Sequence, residues 1–137
     1  MAHHVYKTTG IILQAIPSGD SNLFLSIFTR ELGLIKATAQ GVRYLKSKLR
    51  YSTQKYDFSI MSFVYGKHTW RLTNASSEYN IYYELRDQPE KMKIVANGCT
   101  LLQRLLAGEE SNRELFDLFT DGVGFFFFFS LNSKELT

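Results

Sequence analysis

Cysteine is almost absent from this 137-residue chain, which has Cys99 alone. A single thiol cannot close an internal disulfide, and without a CxxC pair no zinc site of the usual spacing forms. We therefore expect a reduced, cytoplasmic compartment and no cofactor. His3 and His4 offer a metal pair, but no third ligand accompanies them, and a flexible end is the simpler interpretation.

Long apolar runs and catalytic motifs are also lacking. The most apolar run, Phe125–Phe129, has five residues, whereas a bilayer span needs roughly 20. The N-terminus shows no long apolar run of the kind that marks a signal peptide, so we expect none. The patterns HExxH, GxSxG and a glycine-rich phosphate loop do not occur. We therefore expect a protein that is not an enzyme.

Acidic residues are missing from one long window, between Glu31 and Asp57. Lysine and arginine bind phosphates by replacing counterions, and aromatic rings between cations suit unstacked bases. The window therefore predicts either a nucleic-acid contact or a plain solvated basic loop. Its cations and the two tyrosines near its centre are Lys36, Arg43, Tyr44, Lys46, Lys48, Arg50, Tyr51 and Lys55.

Charge divides the chain into two parts. Residues 1–77 hold ten Lys/Arg and three Asp/Glu, while residues 78–137 hold six and ten. A basic part joined to an acidic part indicates a polyanion-binding domain followed by a packing or partner-binding part. We expect a β-barrel domain over 1–77 and a partial helical domain over 78–137.

Alternating apolar residues predict five strands in the first part, over residues 5–16, 23–29, 34–39, 57–64 and 69–75. A tight reversal at 30–33 and a hairpin turn at 65–68 join neighbouring strands. An irregular or helical segment between the third and fourth strands is typical of a five-stranded OB-fold, although SH3-like barrels also have five strands. Lys67 and Arg71 belong to the last hairpin, where OB loops often line a binding groove.

Beyond Ser76 the apolar period becomes helical. The residues Met92, Val95, Cys99, Leu102 and Leu106 form one stripe at spacings of three and four. Residues 111–114 read as a capping box that opens a second helix, so we expect antiparallel α-helices. The five phenylalanines would leave such a pair with exposed apolar surface. The pair must pack on the barrel, dimerise or be completed by further chain, and we expect the last.

Ordered segments of the chain resemble the N-terminal part of the RecO family of bacterial DNA repair and recombination proteins. The matching segments are 9–13, 19–21, 25–35, 39–43 and 46–49, in the family's order and near its spacing. Arg43, Lys46 and Lys48 match basic positions of the family. Gln40 stands where the family often has lysine, and the zinc-binding cysteines of some members are absent.

The resemblance implies an N-terminal OB domain followed by a larger helical domain. It implies binding of single- and double-stranded DNA and annealing of complementary strands, in a cytoplasmic, nucleoid-associated setting. It also implies partnership with RecR and with the acidic tail of the single-strand-binding protein SSB, and assistance to RecA in displacing SSB. The tail pocket would lie in helices beyond this chain, so no residue is assigned to it.

These observations together give a set of expected DNA-binding residues and leave two alternatives open. The set is Arg43, Lys46, Lys48, Arg50, Lys36, Tyr44, Tyr51, Lys67 and Arg71. RNA stays possible as the ligand because phosphate contacts carry no information about the sugar. The alternative from a different class is an OB-type protein-interaction module that docks a partner through its helical, Phe-rich part. Trp70 offers a further ring for stacking on a base, but in an apolar strand it is expected in the core.

Replacing Arg43, Lys46 and Lys48 together by Ala should weaken binding of DNA. On a duplex the slope of log K against log salt should become less steep by about three, because each lost phosphate contact removes about 0.9 of a released counterion. Fluorescence anisotropy of a labelled oligonucleotide at several salt concentrations measures affinity and slope together. An unchanged affinity and slope would show that the basic window is not the site.

Overall fold

The computed structural model describes residues 4–42, 49–106 and 110–122. A third helix, α3, covers residues 113–122. All five predicted strands are confirmed, and each is longer than its predicted range. The elements before α3 are β1 (Val5–Ser18), β2 (Asn22–Thr29), β3 (Gly33–Ala39), β4 (Asp57–Gly66), β5 (Thr69–Asn80), α1 (Ile81–Glu84) and α2 (Pro89–Leu105).

The five strands close into a barrel. Hydrogen-bonded neighbours follow the order β1-β2-β3-β5-β4, and β4 pairs with β1 to complete the ring. Every pairing is antiparallel except β3 with β5, which is parallel and joins only Ala37 to Trp70 and Thr38 to Arg71. The expected OB-type barrel is therefore confirmed.

Local chemistry explains the two tight reversals. Gly33 has φ of +73° at the β2–β3 reversal, a conformation that costs glycine little. The Thr29 hydroxyl accepts from the Leu32 amide at 2.9 Å and donates to the Gly33 carbonyl at 2.8 Å. At the β4–β5 hairpin, Lys67 and His68 both have positive φ, as a two-residue type I′ turn requires.

Apolar residues on opposite faces of the same strands build two cores. Alternation along β1 and β2 turns Ile12, Leu25 and Ile27 into the barrel, where they meet residues such as Met61 and Phe63. The opposite face of β1 and β2 packs against the helices. That second core consists of Ile11, Leu13, Phe28, Ile81, Leu85, Val95, Cys99, Leu102 and Phe116.

The predicted apolar stripe of α2 is confirmed, since its members are buried or packed against this second core. The described helices thus pack on the barrel, which was one of the three options left by the sequence. Phe125–Phe129 lie outside the described residues. The division at residue 77 stays a prediction; β5 continues to Asn80, and the helices share a core with β1 and β2.

The predicted start of α3 is wrong by one residue. Asn112, not Ser111, caps the helix, because its side-chain oxygen accepts from the Leu115 amide at 3.0 Å. Asparagine is as good a cap as serine, so a sequence with both offers two possible starts. The antiparallel arrangement of α2 and α3 stays a prediction. Within the described ranges, no helix is long and apolar enough to cross a membrane.

Phe116→Ala should destabilise the protein by about 3–5 kcal/mol, because it removes a buried ring and leaves a cavity. The Phe116 ring lies 5.2 Å from the Phe28 ring and 6.2 Å from the Phe58 ring, centroid to centroid. Leu118→Ala on the same helix is the matched control, since Leu118 is 70% exposed and should change stability by less than about 0.5 kcal/mol. Urea unfolding measures both, and equal losses would mean that α3 does not pack on the barrel.

The buried thiol makes stability depend on alkaline pH. Burial raises the pKa of Cys99 to about 11 from its usual 9.0. Between these values the unfolded chain loses the thiol proton first, so the free energy of unfolding should fall by up to about 2–3 kcal/mol as pH rises. Urea unfolding of the natural protein and of Cys99→Ala between pH 8 and 11 tests this. Parallel pH profiles for the two proteins would contradict it.

Candidate nucleic-acid interface

The structure describes five of the nine residues expected to bind DNA. Arg43, Tyr44, Lys46 and Lys48 lie outside the described residues, so their roles stay predictions. Lys36, Lys67 and Arg71 line two neighbouring grooves on the barrel. Arg50 and Tyr51 line neither of these grooves.

The larger of these grooves, here the strand groove, has a volume of about 410 Å³. It lies where β2 and β3 meet the β4–β5 hairpin and the last turn of α2. Register pairs Phe24 with Thr38 and Ser26 with Lys36, so these four side chains share one face of the sheet. The lining residues are Phe24, Ser26, Leu34, Lys36, Thr38, His68, Thr69, Trp70, Gln103 and Leu106.

Two aromatic residues, Phe24 and Trp70, line the strand groove. Phe24 is 39% exposed, and the Lys36 ammonium lies 6.0 Å from the centre of its ring. Trp70 is 7% exposed and belongs to the barrel core, as expected. Tyr6 and Tyr65 pack on Trp70 with ring centroids at 5.1 and 4.8 Å. The Phe24 ring is therefore available for stacking on a base, while the Trp70 ring is buried and packed against two tyrosines.

The second groove, here the hairpin groove, has a volume of about 350 Å³ and carries two of the expected cations. Its lining residues are Thr38, Gln40, Val64, Gly66, Lys67, Thr69 and Arg71. It shares Thr38 and Thr69 with the strand groove, so the two grooves adjoin at the β3–β5 junction. In the part of the chain that the structure describes, no Asp or Glu lines either groove.

Arg50 and Tyr51 form a contact of their own. The Arg50 guanidinium lies 5.8 Å from the centre of the Tyr51 ring, and Tyr51 is exposed. The segment is held by the Thr53 hydroxyl, which donates to the Leu49 carbonyl at 2.8 Å. The pair therefore presents a ring and a charge that belong to neither the strand groove nor its neighbour.

Phe24 and His68 are groove residues that sequence reasoning did not select. Phe24 lies in a strand with apolar residues on both faces, which reads as a buried central strand. His68 reads as an isolated histidine in a turn. Their positions in the predicted strand order could have identified them. In OB folds, strands 2 and 3 form the binding face and the β4–β5 loop borders it.

Arg30 is engaged in an ion-pair network on the opposite side of the β2–β3 reversal. It donates to Glu31 at 2.9 Å and to Asp117 of α3 at 3.0 Å. Arg113 also contacts Glu31. The hydrogen bond from Arg30 lowers the pKa of Asp117 and raises that of Arg30. These contacts join the reversal to α3.

Metal chemistry finds no support in the described ranges, where no group of three His, Cys, Asp or Glu side chains could hold an ion. The exposed cations and rings can neutralise phosphates and stack on bases. Binding of this kind needs no side-chain acid or base.

Comparison with known sequences identifies relatives of this chain. A family model described as Recombination protein O N terminal matches residues 1–79. A protein from Gloeobacter violaceus named DNA repair protein RecO is 34% identical over 120 residues, covering 86% of this chain and 45% of the relative. The protein of the same name from a Synechocystis species is 33% identical, covering 85% of this chain and 42% of the relative. The one from Alkaliphilus metalliredigens is 29% identical, covering 82% of this chain and 45% of the relative. The chain thus spans a little under half the length of these relatives.

Proposed function

This chain belongs to the RecO family by its N-terminal domain, and we propose that it binds single-stranded DNA in the strand and hairpin grooves as part of DNA repair. The observation that carries the proposal is a pair of adjoining grooves on an OB-type barrel, on the side where OB folds bind nucleic acid. Within the described residues the two grooves are lined by cations and rings and by no carboxylate.

The grooves suggest how a strand would lie. Lys67 and Arg71 border the hairpin groove and would neutralise backbone phosphates. Phe24, with Lys36 beside it, would stack on a base in the strand groove. Thr38 and Thr69 lie where the two grooves join, so one strand could pass from phosphate contacts to base contacts without leaving the barrel.

The proposed activity is positioning rather than chemistry. A strand held by its phosphates, with its bases turned outward or stacked on rings, is ready to pair with a complement. The proposal also includes annealing of complementary strands, binding of double-stranded DNA and assistance to RecA. It further includes contacts with RecR and SSB, but no described residue is assigned to those contacts.

Binding of oligothymidylate should change the fluorescence of Trp70, because this sole tryptophan lines the strand groove. The triple variant Lys36→Ala, Lys67→Ala, Arg71→Ala should bind much more weakly. Its slope of log K against log salt should be less steep by about two, at about 0.7 per phosphate contact of a single strand. Titrations at several salt concentrations give both quantities from the same signal.

The matched control is Lys7→Ala, which removes an exposed cation of β1 that lines neither groove. It should leave the slope unchanged, whereas the loss of one phosphate contact would make it less steep by about 0.7. Phe24→Ala should weaken binding by about tenfold at every salt concentration, because a lost stacking contact is not electrostatic. A silent Trp70 signal together with binding measured by anisotropy would place the DNA elsewhere and overturn the proposal.

One observation favours the alternative of a partner-docking module. Large apolar side chains are exposed along α2 and α3, namely Ile94, Leu101, Leu105 and Leu118. An apolar stripe on a helix is a common protein-contact surface. Size-exclusion chromatography with light scattering distinguishes the two functions. A clean monomer that binds DNA tightly would exclude docking as the main role.

A further inference from the structure

A third groove, here the helix groove, lies at the opposite end of α2 from the strand groove. Its volume is about 400 Å³. It is lined by residues of the segment before β4, of α1 with the linker after it, and of the first turns of α2. These residues are Tyr56, Tyr82, Leu85, Arg86, Pro89, Met92, Lys93 and Ala96.

The position of Tyr56 is fixed by its backbone. Its amide donates to the Ile12 carbonyl at 2.7 Å, and its carbonyl accepts from the Ile81 amide at 3.0 Å. Its φ is +69°, a conformation that is unfavourable for a bulky residue and that persists only where the surroundings impose it. The Asn80 side chain, which caps α1, also donates to the Lys55 carbonyl at 3.2 Å. One wall of the helix groove is therefore rigid.

Cations accompany the rings at this end of the molecule. The Lys55 ammonium lies 5.0 Å from the centre of the Tyr56 ring, and the Arg86 guanidinium lies 4.1 Å from the centre of the Tyr83 ring. Lys93 lines the groove from α2, and Tyr82 is 60% exposed at its edge. Glu84, Asp87 and Glu90 occur in the same part of the sequence, but none of them is a lining residue.

We propose that the helix groove is a second binding site for single-stranded nucleic acid. Tyr56 and Tyr82 would stack on bases, and Arg86 and Lys93 would meet the phosphates. The inference rests on the proposed binding of DNA to the barrel and adds a separate site to it. Residues 96 and 103 on α2 border different grooves and are about 10 Å apart at 1.5 Å per residue, so two strands can be held at once by one molecule.

Two separate sites would give annealing a physical basis. A strand in the strand groove and a complement in the helix groove would be kept on the same molecule, so their pairing would depend on an effective local concentration. Nearby carboxylates reduce the electrostatic share of binding at the helix groove. Its affinity should therefore fall less steeply with salt than that of the strand and hairpin grooves.

The test counts oligothymidylates of about eight nucleotides, a length within the range that one OB fold binds. The natural protein should bind two per chain, and the double variant Tyr82→Ala, Lys93→Ala should bind one. Trp70 fluorescence should change equally in both, because it reports the strand groove. The variant should also anneal complementary strands at least about tenfold more slowly, because the second site loses a stacking contact and a phosphate contact.

The matched control is Leu101→Ala, Arg104→Ala, which also removes one large side chain and one cation from the helical part. Both residues are exposed on α2 and line none of the three grooves. This variant should still bind two oligonucleotides. Thermal unfolding by circular dichroism establishes that each variant is folded before binding is compared.

The outcomes separate this inference from the proposed function. One oligonucleotide per natural chain, with a full Trp70 response, would overturn the helix groove and leave the barrel site intact. Binding that depends on Tyr82 while Trp70 stays silent would support the helix groove and overturn the barrel site. Polyglutamate is a polyanion without bases. If it displaced the second oligonucleotide with the same efficiency as oligothymidylate, the helix groove would bind any polyanion by charge alone, and the inference would fail.

Discussion

The two-sided apolar surface of β1 and β2 is the constraint on which this structure depends. Ile12 faces the inside of the barrel, while Ile11 and Leu13 on either side of it face the helices, and all three are fully buried. Most strands of an antiparallel barrel have one polar face. Here the second apolar face must be covered, and the first helices after the barrel cover it. The barrel and the helical part are therefore joined by packing as well as by the chain.

This packing also determines where ligands could bind. Because α2 packs on the barrel, Gln103 in its last turn and Leu106 directly after it form one wall of the strand groove. Its first turns form one wall of the helix groove. The short β3–β5 pairing leaves the other walls accessible, since only two residue pairs join these strands. Both grooves thus follow from the burial of Ile11, Leu13 and Phe28 under the helices.

Much of the fold could be predicted from local sequence signals. The alternation of apolar and polar residues predicted the strands, and apolar residues at spacings of three and four predicted α2. Both patterns arise because one face of the element is buried. The start of α3 was misplaced, since Ser111 and Asn112 are both good caps and only the hydrogen bond to Leu115 decides between them. The packing of the helices on the barrel was one of three options and not the one expected, because apolar residues on both faces of β2 indicate burial without identifying what covers them.

The charged residues of the candidate site could be predicted from the sequence, but the shape of its grooves could not. Lys36, Lys67 and Arg71 stood out as cations, and the structure brings them to adjoining grooves. Phe24 and His68 were missed because their role comes from register and from the hairpin, which join residues distant in sequence. Grooves depend on such tertiary neighbours, whereas a run of cations is visible in the sequence itself.

The acid-free window connects the two proposed binding regions along the chain. It leaves the barrel beside the hairpin groove, at Gln40, and ends at Tyr56 in the helix groove. Both ends are fixed: the Gly41 amide donates to the Asn22 side chain at 2.8 Å, and Tyr56 is held by Ile12 and Ile81. Of its cations beyond Gln40, the described Arg50 and Lys55 lie on the stretch that leads to Tyr56, and each contacts a tyrosine ring. Under the proposed two-strand binding, these two charges would attract phosphate toward the helix groove.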